Sequence, residues 1–203
     1  MTKQIFFRVS VTNKTGIGHF IRSLSLATAI KKNLNFKTKF IINDNKFAKK
    51  TLKRNKIPFK ISNYSYPTKL EDAKLSYDKK ADLLIVDSPI IKKKWVRYFF
   101  KKEIKILGIF SKTNSINSVD YELRPESILN KSSFKKKFGL KYSLLSKEYW
   151  KKSPKKKKKN INNVLITFGG CDHNDLSSKF IKSLNYNIKK KLNINLVIGQ
   201  FYN

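Results

Sequence analysis

The sequence predicts an α/β fold in which a parallel sheet carries helices on its faces. Three observations predict it. Short apolar runs alternate with helical patterns along the first 110 residues, the arrangement that repeated strand-helix units give. One run, DLLIVD at 82–87, is almost entirely apolar, as a central parallel strand buried on both faces must be. Two strand patterns also pass into helical patterns through glycine turns, at TGIGHF (15–20) and FGGCDH (168–173).

The elements follow in order. IFFRVSV (5–11) reads as the first strand and 19–33 as the helix after it. KTKFII (37–42) is a strand and KFAKKTLKRN (46–55) a helix. After Pro58 come the strand FKIS (59–62), the helical pattern KLEDAKLSYDKK (69–80) and the buried run 82–87. A helix at KKWVRYFFKK (93–102) and a strand at IKILGIF (104–110) complete a further unit. NVLITF (163–168), a helix around SSKFIKSL (177–184) and INLVIG (194–199) repeat the strand, helix, strand order. No tandem repeat is visible beyond the two glycine openings.

Composition narrows the function classes. A chain of 203 residues with 40% hydrophobic content can bury a core. No stretch of 18 apolar residues occurs, and the N-terminus enters a strand without the order of a signal peptide, which places the chain in the cytoplasm with no membrane span. The single cysteine, Cys171, fits a reducing compartment. A net charge of +33 raises nucleic acid as a partner. The kind of charge argues against it, because Arg8, Arg22, Arg54, Arg97 and Arg124 are the only arginines and the other 41 basic residues are lysines mixed with Asn and Ile. Arginine reads bases and phosphates with a fork, whereas lysine is a solvated point charge. The excess therefore reflects compositional drift, with weak polyanion adhesion and no specific nucleic acid partner.

From 146 to 163 the pattern changes to SKEYWKKSPKKKKKNINN, whose like charges favour an extended, solvated segment. This divides the chain into a Rossmann-like domain at 1–150, a basic linker at 151–162 and the start of a second domain at 163–203. Two strands and one helix are too little for an independent domain, so the remainder of the second is expected to be missing.

The glycine turn at Gly16 and Gly18 carries the chemistry. Glycine permits close backbone approach, and a helix N-terminus offers unpaired N–H groups to an anion such as a diphosphate. His19 and Arg22, three residues apart, project from adjacent sides of the first turn. Phe20, Leu24 and Ala27 form a stripe that points elsewhere, and Leu26 and Ile30 continue the histidine's side further down. The helix dipole disfavours a charged imidazole at that end, which leaves His19 neutral and able to accept a proton. A structural histidine bonded to a neighbouring loop is the plainer alternative.

TGIGHFIRSLSLA resembles the opening of the sugar-nucleotide hydrolases of the pseudaminic acid pathway and of related spore coat polysaccharide proteins. DLLIVDS, LKYSLLSKEYW and VLITFGGCDHNDLSSKFIKSL resemble further blocks of that family in the same order. The chain departs from the pattern at Ser10, where the family has an acidic residue, at Phe110–Ser111 in place of an Asp pair, and at Ser146 in place of Arg. Its resemblance to the family's C-terminal domain stops at Asn203.

The resemblance implies a glycosyltransferase-B-like α/β fold, with one complete Rossmann-like domain and the start of another. It implies hydrolysis of a UDP-linked 2,4-diacetamido-2,4,6-trideoxy hexose to free sugar and UDP. The alternatives are a glycosyltransferase of surface or spore coat polysaccharide synthesis, or an inactive fragment of either. His19 would deprotonate the attacking water, with inversion at the anomeric carbon. Gly16 and Gly18 would admit the sugar diphosphate, and Arg22 would pair with its anionic oxygen or form a surface salt bridge. Asp87 would hold a sugar hydroxyl, orient His19, or cap the turn into Pro89. Tyr142 would pack against the sugar or serve structure. Gly169 and Gly170 would repeat the glycine logic in the second domain, with Asp172 capping the helix near Asn174. Cys171, Asp172 and His173 do not make a zinc set, so neither metal nor cofactor is expected.

Overall fold

A computed structural model describes residues 2–12, 14, 16–110, 119–128, 132–150, 162–172, 174–185 and 192–199. The lysine run, Ser111, His173 and Asn203 lie outside them.

Seven parallel strands form one sheet in the order β3-β2-β1-β4-β5-β6-β7. They are β1 (Gln4–Val9), β2 (Lys37–Asn43), β3 (Phe59–Ser62), β4 (Leu83–Asp87), β5 (Lys105–Ile109), β6 (Tyr121–Arg124) and β7 (Lys136–Phe138). The connecting helices are α1 (Gly18–Leu34), α2 (Lys46–Arg54), α3 (Leu70–Ser76) and α4 (Lys93–Phe100). A second sheet pairs β8 (Asn163–Thr167) in parallel with β9 (Asn193–Val197), and α5 (Leu176–Ser183) lies between them in sequence.

Strand alternation builds two cores. Successive strand side chains point to opposite faces. Phe7 and Val9 of β1 join Phe40, Ile42 and Ile85 on the face where Phe20, Ala27 and Ile30 of α1 and Leu52 of α2 bury. Phe6 of β1 joins Ile41, Leu84, Val86 and Ile106 on the other face, closed by Ala73 of α3 and Trp95, Val96 and Phe99 of α4. Phe7 and Phe40 stack with centroids 4.8 Å apart. Ile30, on the side expected to continue from His19, is buried, whereas Leu24 of the predicted stripe is only partly so.

The sequence pattern did not reveal β6 and β7. They are short, β7 is partly or fully exposed, and their pairing partners are their strongest support: β6 runs beside β5 and β7 beside β6.

The strand order reverses between β1 and β4. β2 and β3 lie to one side of β1, and β4 to β7 to the other. Crevices outside the carboxyl ends of strands form at such reversals. The register pairs Val9 with Asp87, so the last residues of both strands meet there.

A candidate catalytic dyad at the strand-order reversal

The parity of β4 directs Asp87 to the same face as Ile85, beneath α1. The turn from β1 into α1 brings His19, Arg22 and Ser23 over it. That turn is closed by the Gly16 N–H donating to the Thr12 carbonyl at 2.9 Å. Gly16 has φ +68°, a backbone state that side chains rarely adopt.

Asp87 is completely buried and accepts four contacts. Its Oδ1 lies 2.6 Å from His19 Nδ1 and 2.6 Å from Arg22 Nη2. Its Oδ2 accepts from Arg22 Nε at 2.7 Å and from Ser23 Oγ at 3.0 Å. A carboxylate offers about four lone-pair positions, so none is left for a sugar hydroxyl.

The same geometry assigns the imidazole tautomer. A carboxylate can only accept, and a 2.6 Å approach therefore requires the hydrogen on Nδ1. Arg22 Nη2 also lies 3.0 Å from that nitrogen, but its 2.6 Å bond to Asp87 Oδ1 is the shorter of its two contacts. Nε2 is then the ring's acceptor. The His19 side chain is 16% exposed, so it is held from below and reachable from outside.

Arg22 is fully engaged with carboxylates. Besides its fork on Asp87, Nη1 lies 3.5 Å from Glu126. Burial works against its charge, but the hydrogen bonds and charge of Asp87, with Glu126, outweigh that and raise its pKa.

A second buried ion pair occupies the opposite face of the sheet. Arg8 donates from Nε to both oxygens of Asp72 at 3.1 Å, from Nη1 to the Val9 carbonyl and from Nη2 to the Tyr64 carbonyl. Asp72 also accepts from Ser62 Oγ at 2.5 Å and Trp95 Nε1 at 2.8 Å. Burial lowers the Arg8 pKa against the opposing pull of Asp72. The departure at Ser10 is accommodated by a 2.8 Å hydrogen bond from its hydroxyl to Ser88.

The other sequence-derived residues fall in three places. Tyr142 joins the core beneath α1, with the Lys141 ammonium 5.1 Å from its ring centroid. Gly169, at φ +82°, and Gly170 make the turn after β8. That turn touches the first one: a Cβ built on Gly170 would lie 3.7 Å from the Ile17 nitrogen, and one on Gly16 would lie 3.4 Å from Cys171 Sγ. Gly18 faces open space. Asp172 accepts from the N–H groups of Leu176 and Ser177 at 2.9 and 2.8 Å, satisfying two donors at the start of α5.

Sequence reasoning missed Ser23 and Glu126. Ser23 lies four residues after His19, on the same helical face, which was its available signal. Glu126 follows the unrecognised β6 and gave none. Among the described residues, no group of three or more His, Cys, Asp or Glu could hold a metal, and no helix is long and apolar enough to cross a membrane.

No protein-family model and no curated protein matches the chain. The chain is similar in fold to Acinetobacter baumannii MurG. The similarity to that crystal structure has a TM-score of 0.60 and covers 96% of this chain and 68% of the other. Sequence identity is 11%, so the likeness speaks to fold alone: a parallel-sheet α/β architecture of the glycosyltransferase-B type.

Proposed function

We propose that the chain belongs to an enzyme that transfers a sugar from a nucleotide diphosphate carrier to a hydroxyl acceptor, with His19 as general base. The observation that carries this reading is the 2.6 Å contact of His19 Nδ1 with a buried, saturated Asp87 at the strand-order reversal. Asp87 holds the hydrogen on Nδ1 and leaves Nε2 to take the acceptor proton. Arg22 and Ser23 fix Asp87 as positioning residues. The acceptor oxygen attacks the anomeric carbon, and the nucleotide diphosphate leaves from the opposite face with inversion. The sugar diphosphate rests over the first turn of α1 beside Gly18, where the N–H groups have no side-chain cap.

The likeness to MurG, a glycosyltransferase, supports a UDP-linked donor and an acceptor other than water. Residues 163–203 then belong to the nucleotide-binding half, with Gly169 and Gly170 at its first turn. The sequence blocks that resemble pseudaminic acid pathway hydrolases favour a second reading, in which water takes the acceptor's place and uses the same base.

The test is UDP release from a panel of UDP-hexoses that includes a UDP-2,4-diacetamido-2,4,6-trideoxy hexose, with and without saccharide acceptors, for the parent and His19→Gln. Release that needs an acceptor and disappears in the variant supports transfer. Equal release without acceptor supports hydrolysis. Release unaffected by His19→Gln overturns both.

A further inference from the structure

At the opposite end of the sheet from His19, the strand N-termini and helix C-termini enclose a cavity of about 520 Å³, within the usual range for small-molecule sites. Its wall includes Phe36 and Ile57, and four lysines, Lys31, Lys37, Lys39 and Lys56, line it without any carboxylate. Part of this charge has a local explanation. Helices α1 and α2 both end at the rim, and each C-terminus carries about half a negative charge. Asp78 lies 3.6 Å from Lys39. Together these offset about two of the four positive charges, while Asp82, which accepts from the Gln4 N–H at 2.7 Å, faces an adjoining pocket where Lys3, Lys79 and Lys80 outnumber it. The remainder corresponds to one dianion, set against an apolar wall.

We propose that this cavity binds a phosphate monoester that carries an apolar group. Lys31, Lys37 and Lys56 meet the phosphate, and Phe36 and Ile57 meet the apolar portion. Lys39 belongs to Asp78 and to the ring of Phe6, whose centroid is 5.2 Å from its ammonium. Two sources share this chemistry, an aryl phosphate and the phosphate of a single-chain lipid. The cavity is remote from Asp87 and does not depend on the proposed reaction.

The experiment is titration calorimetry of the full chain at physiological ionic strength. The probes are 1-naphthyl phosphate, dodecyl phosphate below its micellar concentration, and inorganic phosphate. The expected result is one saturable site for an apolar ester, at least about tenfold tighter than for inorganic phosphate. Lys37→Glu with Lys56→Glu should weaken it by at least about tenfold, since two attractive contacts become repulsive. Preference for the naphthyl or the dodecyl ester assigns the source. Both lysines are exposed, so the double variant folds, which its circular dichroism verifies. Equal affinity for inorganic phosphate, several equivalent sites, or binding unchanged in the double variant would overturn the proposal in favour of general adhesion to a cationic surface. Binding of neither ester would also overturn it.

Discussion

His19 Nδ1 and Asp87 Oδ1 lie 2.6 Å apart across the seam between β1 and β4, although 68 positions separate them in the chain. For the proposed transfer reaction, His19→Gln should lower kcat by about 10² to 10⁴, the usual contribution of a positioned general base, with KM little changed. Asp87→Asn should lower kcat as well, and should also cost about 3 kcal/mol of stability because Arg22 loses its buried partner. Steady-state kinetics paired with thermal unfolding separates the two variants.

Arg8 and Asp72 make the corresponding seam on the other face. Removing one member leaves a buried charge uncompensated, so Asp72→Ala should destabilise by about 3 to 5 kcal/mol. Replacing both, with Arg8→Met and Asp72→Leu, should recover much of that loss in urea unfolding. A double variant no more stable than Asp72→Ala would show that the pair contributes through geometry that apolar packing cannot supply.

The two glycines of the first turn should respond differently. Gly16→Ala places a side chain at φ +68° and 3.4 Å from Cys171 Sγ, which should cost about 1 to 2 kcal/mol. Gly18→Ala adds a methyl group in open space within a helix, which should be neutral or stabilising by up to about 1 kcal/mol. If the sugar diphosphate rests there, the same methyl should raise KM for the donor while the melting temperature holds. An unchanged KM would move the donor away from α1.

Asp172 gives a prediction about pH. Desolvation acts against its charge, but hydrogen bonds from Ser177 and Leu176 prevail and hold its pKa below the usual carboxylate value. A depressed pKa stabilises above the unfolded value, near 3.9, and that stabilisation fades as pH falls through the folded value. The amides of Leu176 and Ser177 should thus stay protected at pH 5 and lose protection selectively below about pH 4. Asp172→Asn should flatten that dependence in hydrogen exchange followed by NMR.

Short apolar runs between turn signals and helical patterns were sufficient to find β1 to β5. It failed for Tyr121–Arg124 and Lys136–Phe138, whose four and three residues carry too little apolar surface to stand out. The site was legible as far as local spacing reaches: His19 and Arg22 are neighbours on one turn, and Asp87 ends an obvious strand. What spacing could not show was that they share one carboxylate. That depends on the strand order, which places β4 beside β1 while β2 runs on the other side. The alternatives for Asp87 stood open for the same reason, since lone pairs can be counted only once the partners are known.

The fork of Arg22 on Asp87 makes substitution bias informative. Lysine supplies 41 of the 46 basic side chains, so an arginine here marks a position where a point charge does not serve. Arg8 and Arg22, each engaging two oxygens of a buried carboxylate, are such positions. A lysine at either would put a single point charge where the guanidinium contacts both oxygens. In a chain this saturated with one cation, the fully buried carboxylates Asp87, at the end of a central strand, and Asp72, on a flanking helix, are both met by the rarer one.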